Sequence, residues 1–207
     1  MNFLKIMIVA FIFSVFAFGQ ISVVNSSHNL SSSGPVAQAS DDQDRICVFC
    51  HTPHKGSEDV LWNRDNPVTG DFLVRAGTGA ILEEGSLKCL SCHDGATAVN
   101  NLVNDITADF TTAMGIGTII GDDGSGNPVL VGSGNIGTNL RNDHPVGVDY
   151  PIDGTPRFHD AIDVDLAQLI NGKVACASCH DPHDSQFGAF LIASNNGSTL
   201  CLDCHDR

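Results

Sequence analysis

The chain has 207 residues, with 24 Asp and Glu against 10 Lys and Arg, a formal charge of -14. So acidic a balance excludes a nucleic-acid binder, which needs basic groups to replace phosphate counterions. Five of the eleven Phe lie in the first nineteen residues, and the six that remain, with Trp62 and Tyr150, are too few for the core of a large sandwich or doubly wound enzyme.

The chain opens with Lys5, an apolar run over residues 6–18, and small residues at Ala17 and Gly19. This order predicts a secretory signal over residues 1–19, cleaved after Gly19, and the run is short for a bilayer span. No Cys follows it, which argues against a lipid anchor, and no later segment is apolar enough for membrane insertion. The chain is therefore expected to be exported and to act outside the cytoplasm. A polar arm follows, Asn25-Ser-Ser-His28-Asn-Leu-Ser31, whose composition predicts disorder unless something anchors it.

All eight cysteines fall in one pattern. They read Cys47-Val-Phe-Cys50-His51, Cys89-Leu-Ser-Cys92-His93, Cys176-Ala-Ser-Cys179-His180 and Cys201-Leu-Asp-Cys204-His205. Cys-x-x-Cys-His is the attachment pattern of c-type haem. Two thiols about one turn apart can add to the two vinyl groups of one haem, and the adjacent His then lies under the iron as its proximal ligand. A disulfide framework suits an exported chain but leaves the His after every pair unexplained. Zinc sites would need free thiolates in an oxidising compartment. Thioredoxin-like pairs need a βαβ context that is missing here. The expectation is four covalent haem c groups.

Four six-coordinate irons need four more ligands. The other His residues are His28, His54, His144, His159 and His183, and Met114 is the one Met beyond the signal. Four bis-His centres are therefore feasible and four His/Met centres are not. His54 and His183 each stand three residues after a motif His, in His51-Thr-Pro-His54 and His180-Asp-Pro-His183. Residues three apart on a turn point the same way. One iron needs its ligands on opposite porphyrin faces, so each is expected to cap the haem of a different motif. Pro145 restricts His144 to an extended backbone, a stiff mount for a ligand. His28 completes the distal set, and His159, beside Arg157, is the spare.

The motifs divide the exported chain, residues 20–207, into two di-haem halves, 20–95 and 141–207, around a Gly- and Asn-rich insertion at 96–140. The repeat suggests duplication of a di-haem unit. In the insertion, residues 116–120 and 129–131 flank a polar turn and predict a β-hairpin. The Asp122-Asp123 pair there lacks the spacing of an EF-hand loop and reads as a solvated turn. Residues 161–169 predict a short helix closed by Asn171-Gly172. Short helical turns are expected at the motifs, and loop elsewhere. The fold class is thus a mostly irregular multihaem protein with a few short helices, a small hairpin, and a haem stack as its core.

The stretches from His28-Asn-Leu-Ser through Ile46-Cys-Val-Phe-Cys-His-Thr-Pro-His54, Leu61-Trp-Asn-Arg64, Cys89-Leu-Ser-Cys-His-Asp-Gly95, His144-Pro-Val-Gly147 and Cys176-Ala-Ser-Cys-His-Asp-Pro-His183 resemble the multihaem c-type cytochromes with doubled Cys-x-x-Cys-His motifs. Within these the chain is similar to the extracellular tetrahaem cytochromes of metal-reducing bacteria that polymerise into conductive filaments. That resemblance implies electron transfer through bis-His haems, redox partner proteins, a head-to-tail homopolymer and an extracellular or cell-surface place. It also implies that His28 ligates a haem of the next subunit. Soluble periplasmic shuttles share these motifs and are the alternative. A multihaem oxyanion reductase is a third reading, but it needs an iron with an open position. Four regular motifs with surplus His favour a carrier over an enzyme.

Overall fold

The computed structural model describes residues 23–35, 45–56, 60–104, 120–151 and 156–206. The expected signal peptide and Met114 lie outside them. Regular structure is sparse. Among the described residues there are two α-helices, α1 (Glu84–His93) and α2 (Thr199–Leu202), and two antiparallel two-stranded sheets. Loops and single 3-10 turns make up the rest, as the scarcity of patterned apolar residues predicts. Among the described residues no helix is long and apolar enough to cross a membrane.

Helix α1 begins with Glu84, a charge suited to the N-terminal end of its dipole, and ends with His93. Lys88 pairs with Glu84 at 3.1 Å, one turn away. The helix buries Leu90, Ser86 and Ser91 and carries the whole second motif. Leu90 joins Phe72, Leu82 and Leu140 in one apolar cluster, edged by Val146. A second cluster unites Phe49, Val99, Ile120 and Leu130, with Cys50 and Cys92 packed against it. Each cluster is small, and thiols of two motifs meet at the second.

The first sheet pairs β1 (Ile120–Asp122) with β2 (Pro128–Leu130), Ile120 opposite Leu130. The hairpin expected in the insertion is therefore present, pairing 120–122 with 128–130; residues 116–119 of the expected first run lie outside the described residues. Its turn is held from within. The Asp123 carboxylate accepts from the Ser125 N–H at 2.7 Å and from the Asn127 side-chain amide at 2.8 Å. These bonds, the Asn127 one foremost, hold its pKa below the usual carboxylate value. The second sheet pairs β3 (Val148–Asp149) with β4 (Lys173–Val174).

The helix expected over residues 161–169 is not formed. A single 3-10 turn, Ala161–Asp163, stands in its place. The reason is a competing acceptor. The Asp203 carboxylate takes the N–H groups of Asp165 at 3.2 Å, Leu166 at 3.0 Å and Ala167 at 2.7 Å, and the Gln168 N–H goes to the Ser178 carbonyl. Those donors would otherwise have bonded back along a helix.

Gly147 fixes the approach of the His144 segment. Its φ is +74°, and a Cβ there would lie 2.7 Å from the Ile81 carbonyl oxygen. The same glycine accepts from Ile81 N–H at 2.9 Å and donates to the Val174 carbonyl at 2.7 Å. Both the left-handed backbone and the close backbone neighbour require glycine. Gly147→Ala is expected to destabilise the holoprotein by at least about 1 kcal/mol, read as a lowered thermal midpoint. An unchanged midpoint would show that the loop yields freely.

Candidate haem centres

Each motif begins in a short helical piece. The first Cys of each lies in the 3-10 turn Ile46–Phe49, in α1, in the 3-10 turn Cys176–Ser178 and in α2 respectively. In each case the His N–H or its neighbour bonds back to the motif's start: His51 and His180 donate to the carbonyls of Cys47 and Cys176, and His205 to that of Cys201. This winding brings the two thiols and the imidazole of one motif to one side of the backbone.

The internal repeat is structural as well as sequential. In the first copy Thr52 N–H bonds the Leu61 carbonyl and Asn63 N–H bonds the Cys50 carbonyl. In the second, Asp181 N–H bonds the Phe190 carbonyl and Ile192 N–H bonds the Cys179 carbonyl. The turn in both copies places two successive non-glycine residues in the left-handed region: Val60 (φ 51°) and Leu61 (φ 52°), then Ala189 (φ 46°) and Phe190 (φ 57°). That conformation is strained, above all for β-branched Val60. Its effect is to aim one carbonyl at the motif His. His51 Nδ1 meets the Val60 oxygen at 2.7 Å, and His180 Nδ1 meets the Ala189 oxygen at 2.8 Å. His93 Nδ1 meets the Gly134 oxygen at 2.7 Å. A carbonyl can only accept, so Nδ1 carries the proton and Nε2 is left with its lone pair for a metal. His205 packs on Phe158, ring centroids 4.8 Å apart.

Rings from different parts of the chain then meet in pairs. His51 faces His183 with centroids 6.1 Å apart and planes 16° from parallel. His28 faces His93 at 6.0 Å and 72°. His144 faces His205 at 6.3 Å and 84°. Two imidazoles that share one iron, each through a bond of about 2 Å, have ring centres about 6 Å apart. The residues present therefore fit a haem iron held between two His. Such a haem would supply a one-electron centre, and the Cys pair of each motif would bind it covalently. Among the described residues no group of three or more His, Cys, Asp or Glu gathers to hold a metal ion.

His183 sits opposite His51, a ring from another motif, and its Nδ1 lies 3.3 Å from the Asp181 carboxylate. His28 is held by its own chain: it stacks on Phe190 at 4.1 Å, and its Nδ1 is 3.3 Å from the Pro182 carbonyl. Burial lowers its pKa, against the opposing pull of that carbonyl. The arm around it is ordered by Asn29, which takes the Ser31 hydroxyl at 2.6 Å and gives its amide to the Val24 carbonyl at 2.7 Å. His54 is exposed and held by its backbone, whose carbonyl accepts from Thr52 and Asn104. His159 also engages through its backbone, donating to the Cys204 carbonyl and accepting from Tyr150.

The motifs themselves adjoin. Cys89 and Cys176 share a thiol hydrogen bond, which pushes Cys89 up and lowers Cys176 to about 7. The Cys176 N–H also donates to Ser86 at 3.2 Å. Burial pushes the Cys50 thiol up to about 12, with neighbouring Cys92 adding to it and the Arg64 charge opposing it. Cys179 and Cys204 are raised by burial and then by charged neighbours, Asp203 among them. Sequence reasoning missed Arg64, Phe190 and Asp203. Aligning the two halves would have flagged two of them, since Arg64 stands opposite Ala193 and Asp203 opposite Ser91.

Residues 169–207 match the family described as a doubled CXXCH motif. The match covers the third and fourth motifs and supports a multihaem c-type cytochrome with covalently bound haem. Comparison with curated proteins gives no match.

Proposed function

We propose that the protein transfers electrons through four covalent haem c groups, each with two axial His ligands. The observation that carries this is the set of three His pairs at 6.0, 6.1 and 6.3 Å, each joining a motif His to a His outside that motif. The fourth pair follows from the repeat. His51 and His54 correspond to His180 and His183, so the partner of the His51–His183 pair is His180 with His54. All four irons are then six-coordinate, which leaves none open for an oxyanion substrate and favours a carrier over an enzyme. Two imidazoles give low potentials compared with a Met ligand. The acidic surface steers basic redox partners toward it, at rates that fall with salt.

His28 meets His93 of its own chain, which supports a separate subunit, exported to the periplasm or cell surface, over a filament joined through His28. Intact mass of the matured protein is expected to exceed the chain by about 2.5 kDa, four haems. Its ferric spectrum is expected to be wholly low-spin and indifferent to nitrite and cyanide. A high-spin fraction that binds either would favour the reductase. His183→Ala is expected to convert one iron, that of the Cys47–Cys50 haem, to high spin while all four haems stay attached. Loss at the Cys176–Cys179 haem instead would overturn the pairing.

A further inference from the structure

The two halves repeat each other's backbone but invert each other's charge. Arg64 is 4% exposed. Its guanidinium donates to Ser91 Oγ at 3.1 Å, to the Ser91 and Ala98 carbonyls at 2.8 Å, and to the Val99 carbonyl at 2.7 Å. All four acceptors are neutral, and among the described residues no carboxylate forms an ion pair with it. A buried cation without a counter-charge acts over a long range, because little water screens it. Ser91 is inside the second motif, and neighbouring Asn63 bonds the carbonyls of Cys50 and Val48 in the first. The charge thus sits where the first two motifs meet.

In the second half the position of Arg64 is Ala193, and that of Ser91 is Asp203. The half-buried Asp203 carboxylate lies inside the fourth motif, fixed by three backbone N–H groups. The residue after each motif adds to the contrast: Thr52 follows the first, while Asp94, Asp181 and Asp206 follow the others. Asp94 is buried and therefore offsets part of the Arg64 charge at the second motif. A nearby cation disfavours the more positive ferric state, and a nearby carboxylate favours it. We propose that this inverted pair of charges grades the reduction potentials along the chain, with the Cys47–Cys50 haem highest and the Cys201–Cys204 haem lowest. Electrons entering at the second half then settle on the first.

This rests on the electron-transfer reading above. The test is a redox titration of the holoprotein with each haem resolved by NMR, in wild type, R64Q and D203N. In R64Q the Cys47–Cys50 and Cys89–Cys92 haems are both expected to fall, the first by at least tenfold in its one-electron equilibrium, 59 mV. In D203N the Cys201–Cys204 haem is expected to rise, by less than the R64Q shift because its carboxylate is partly screened. Potentials unmoved in both variants, or a wild-type order without the first-motif haem on top, overturn the proposal. Should R64Q fail to mature, D203N decides: no rise at the fourth-motif haem sinks the idea. A matured chain without four redox-active haems would defeat the underlying reading instead, and the two failures are separable.

Discussion

Prevented from attaching haem, the chain is expected to have no cooperative fold. The described residues carry two apolar clusters of four buried residues each. Two-stranded sheets with three and two residue pairs are marginal by themselves. Helix α1, with ten residues, is below the length at which an isolated helix holds in water. Much of what is buried is polar, including Asn29, Ser31, Asn63, Ser86 and Ser91, and such groups hold position through hydrogen bonds worth about 1 kcal/mol each. That does not offset roughly 1–2 kcal/mol of backbone entropy per ordered residue. On the proposed reading, four porphyrins would supply the missing apolar surface, and their covalent and iron bonds would tie distant segments together. Circular dichroism of the haem-free chain on heating is expected to show a gradual change. A sharp thermal transition there would mean that the side chains alone build a core.

The sequence declared its chemistry more openly than its architecture. Attachment motifs are contiguous, so spacing alone pointed to the four Cys-x-x-Cys-His segments as haem-binding, and the duplicated His-x-Pro-His suggested that His183 reaches another motif. The hairpin in the insertion was visible because two apolar, largely β-branched runs flank a stretch of turn residues. Long-range acceptors were invisible. Nothing local shows that Asp203 captures the donors of residues 165–167, so a helical composition over 161–169 misled. The left-handed pairs at Val60-Leu61 and Ala189-Phe190 carry no glycine to announce them. They are set by the need to present a carbonyl to His51 and His180, a requirement that exists only once the turn has closed. Nothing local to Arg64 shows that it is buried, because its acceptors lie 27 to 35 residues away.

Replacing His28 by Ala is expected to make one of the four irons high-spin, that of the Cys89–Cys92 haem, without altering the size of the protein. Three contacts support this. The ring lies 6.0 Å from His93, stacks on Phe190 at 4.1 Å, and directs Nδ1 toward the Pro182 carbonyl. With Nδ1 so occupied, Nε2 is the nitrogen free to bind metal. Burial lowers the pKa, so the ring is held neutral and its lone pair is kept for iron at neutral pH. Asn29 and Ser31 are buried and mutually bonded, which holds the arm beside the ring. On the proposed reading the ring closes the coordination of its own chain. Added imidazole is expected to restore the low-spin spectrum of the variant, since the pocket stays and only the ligand is missing. Size-exclusion and electron microscopy on wild type and variant supply the second readout. Equal elution of the two, with the spin change confined to one haem, is the expected result. Long assemblies in wild type that dissolve in His28→Ala would show that the ring crosses to a neighbouring subunit, and would return the conductive filament to first place.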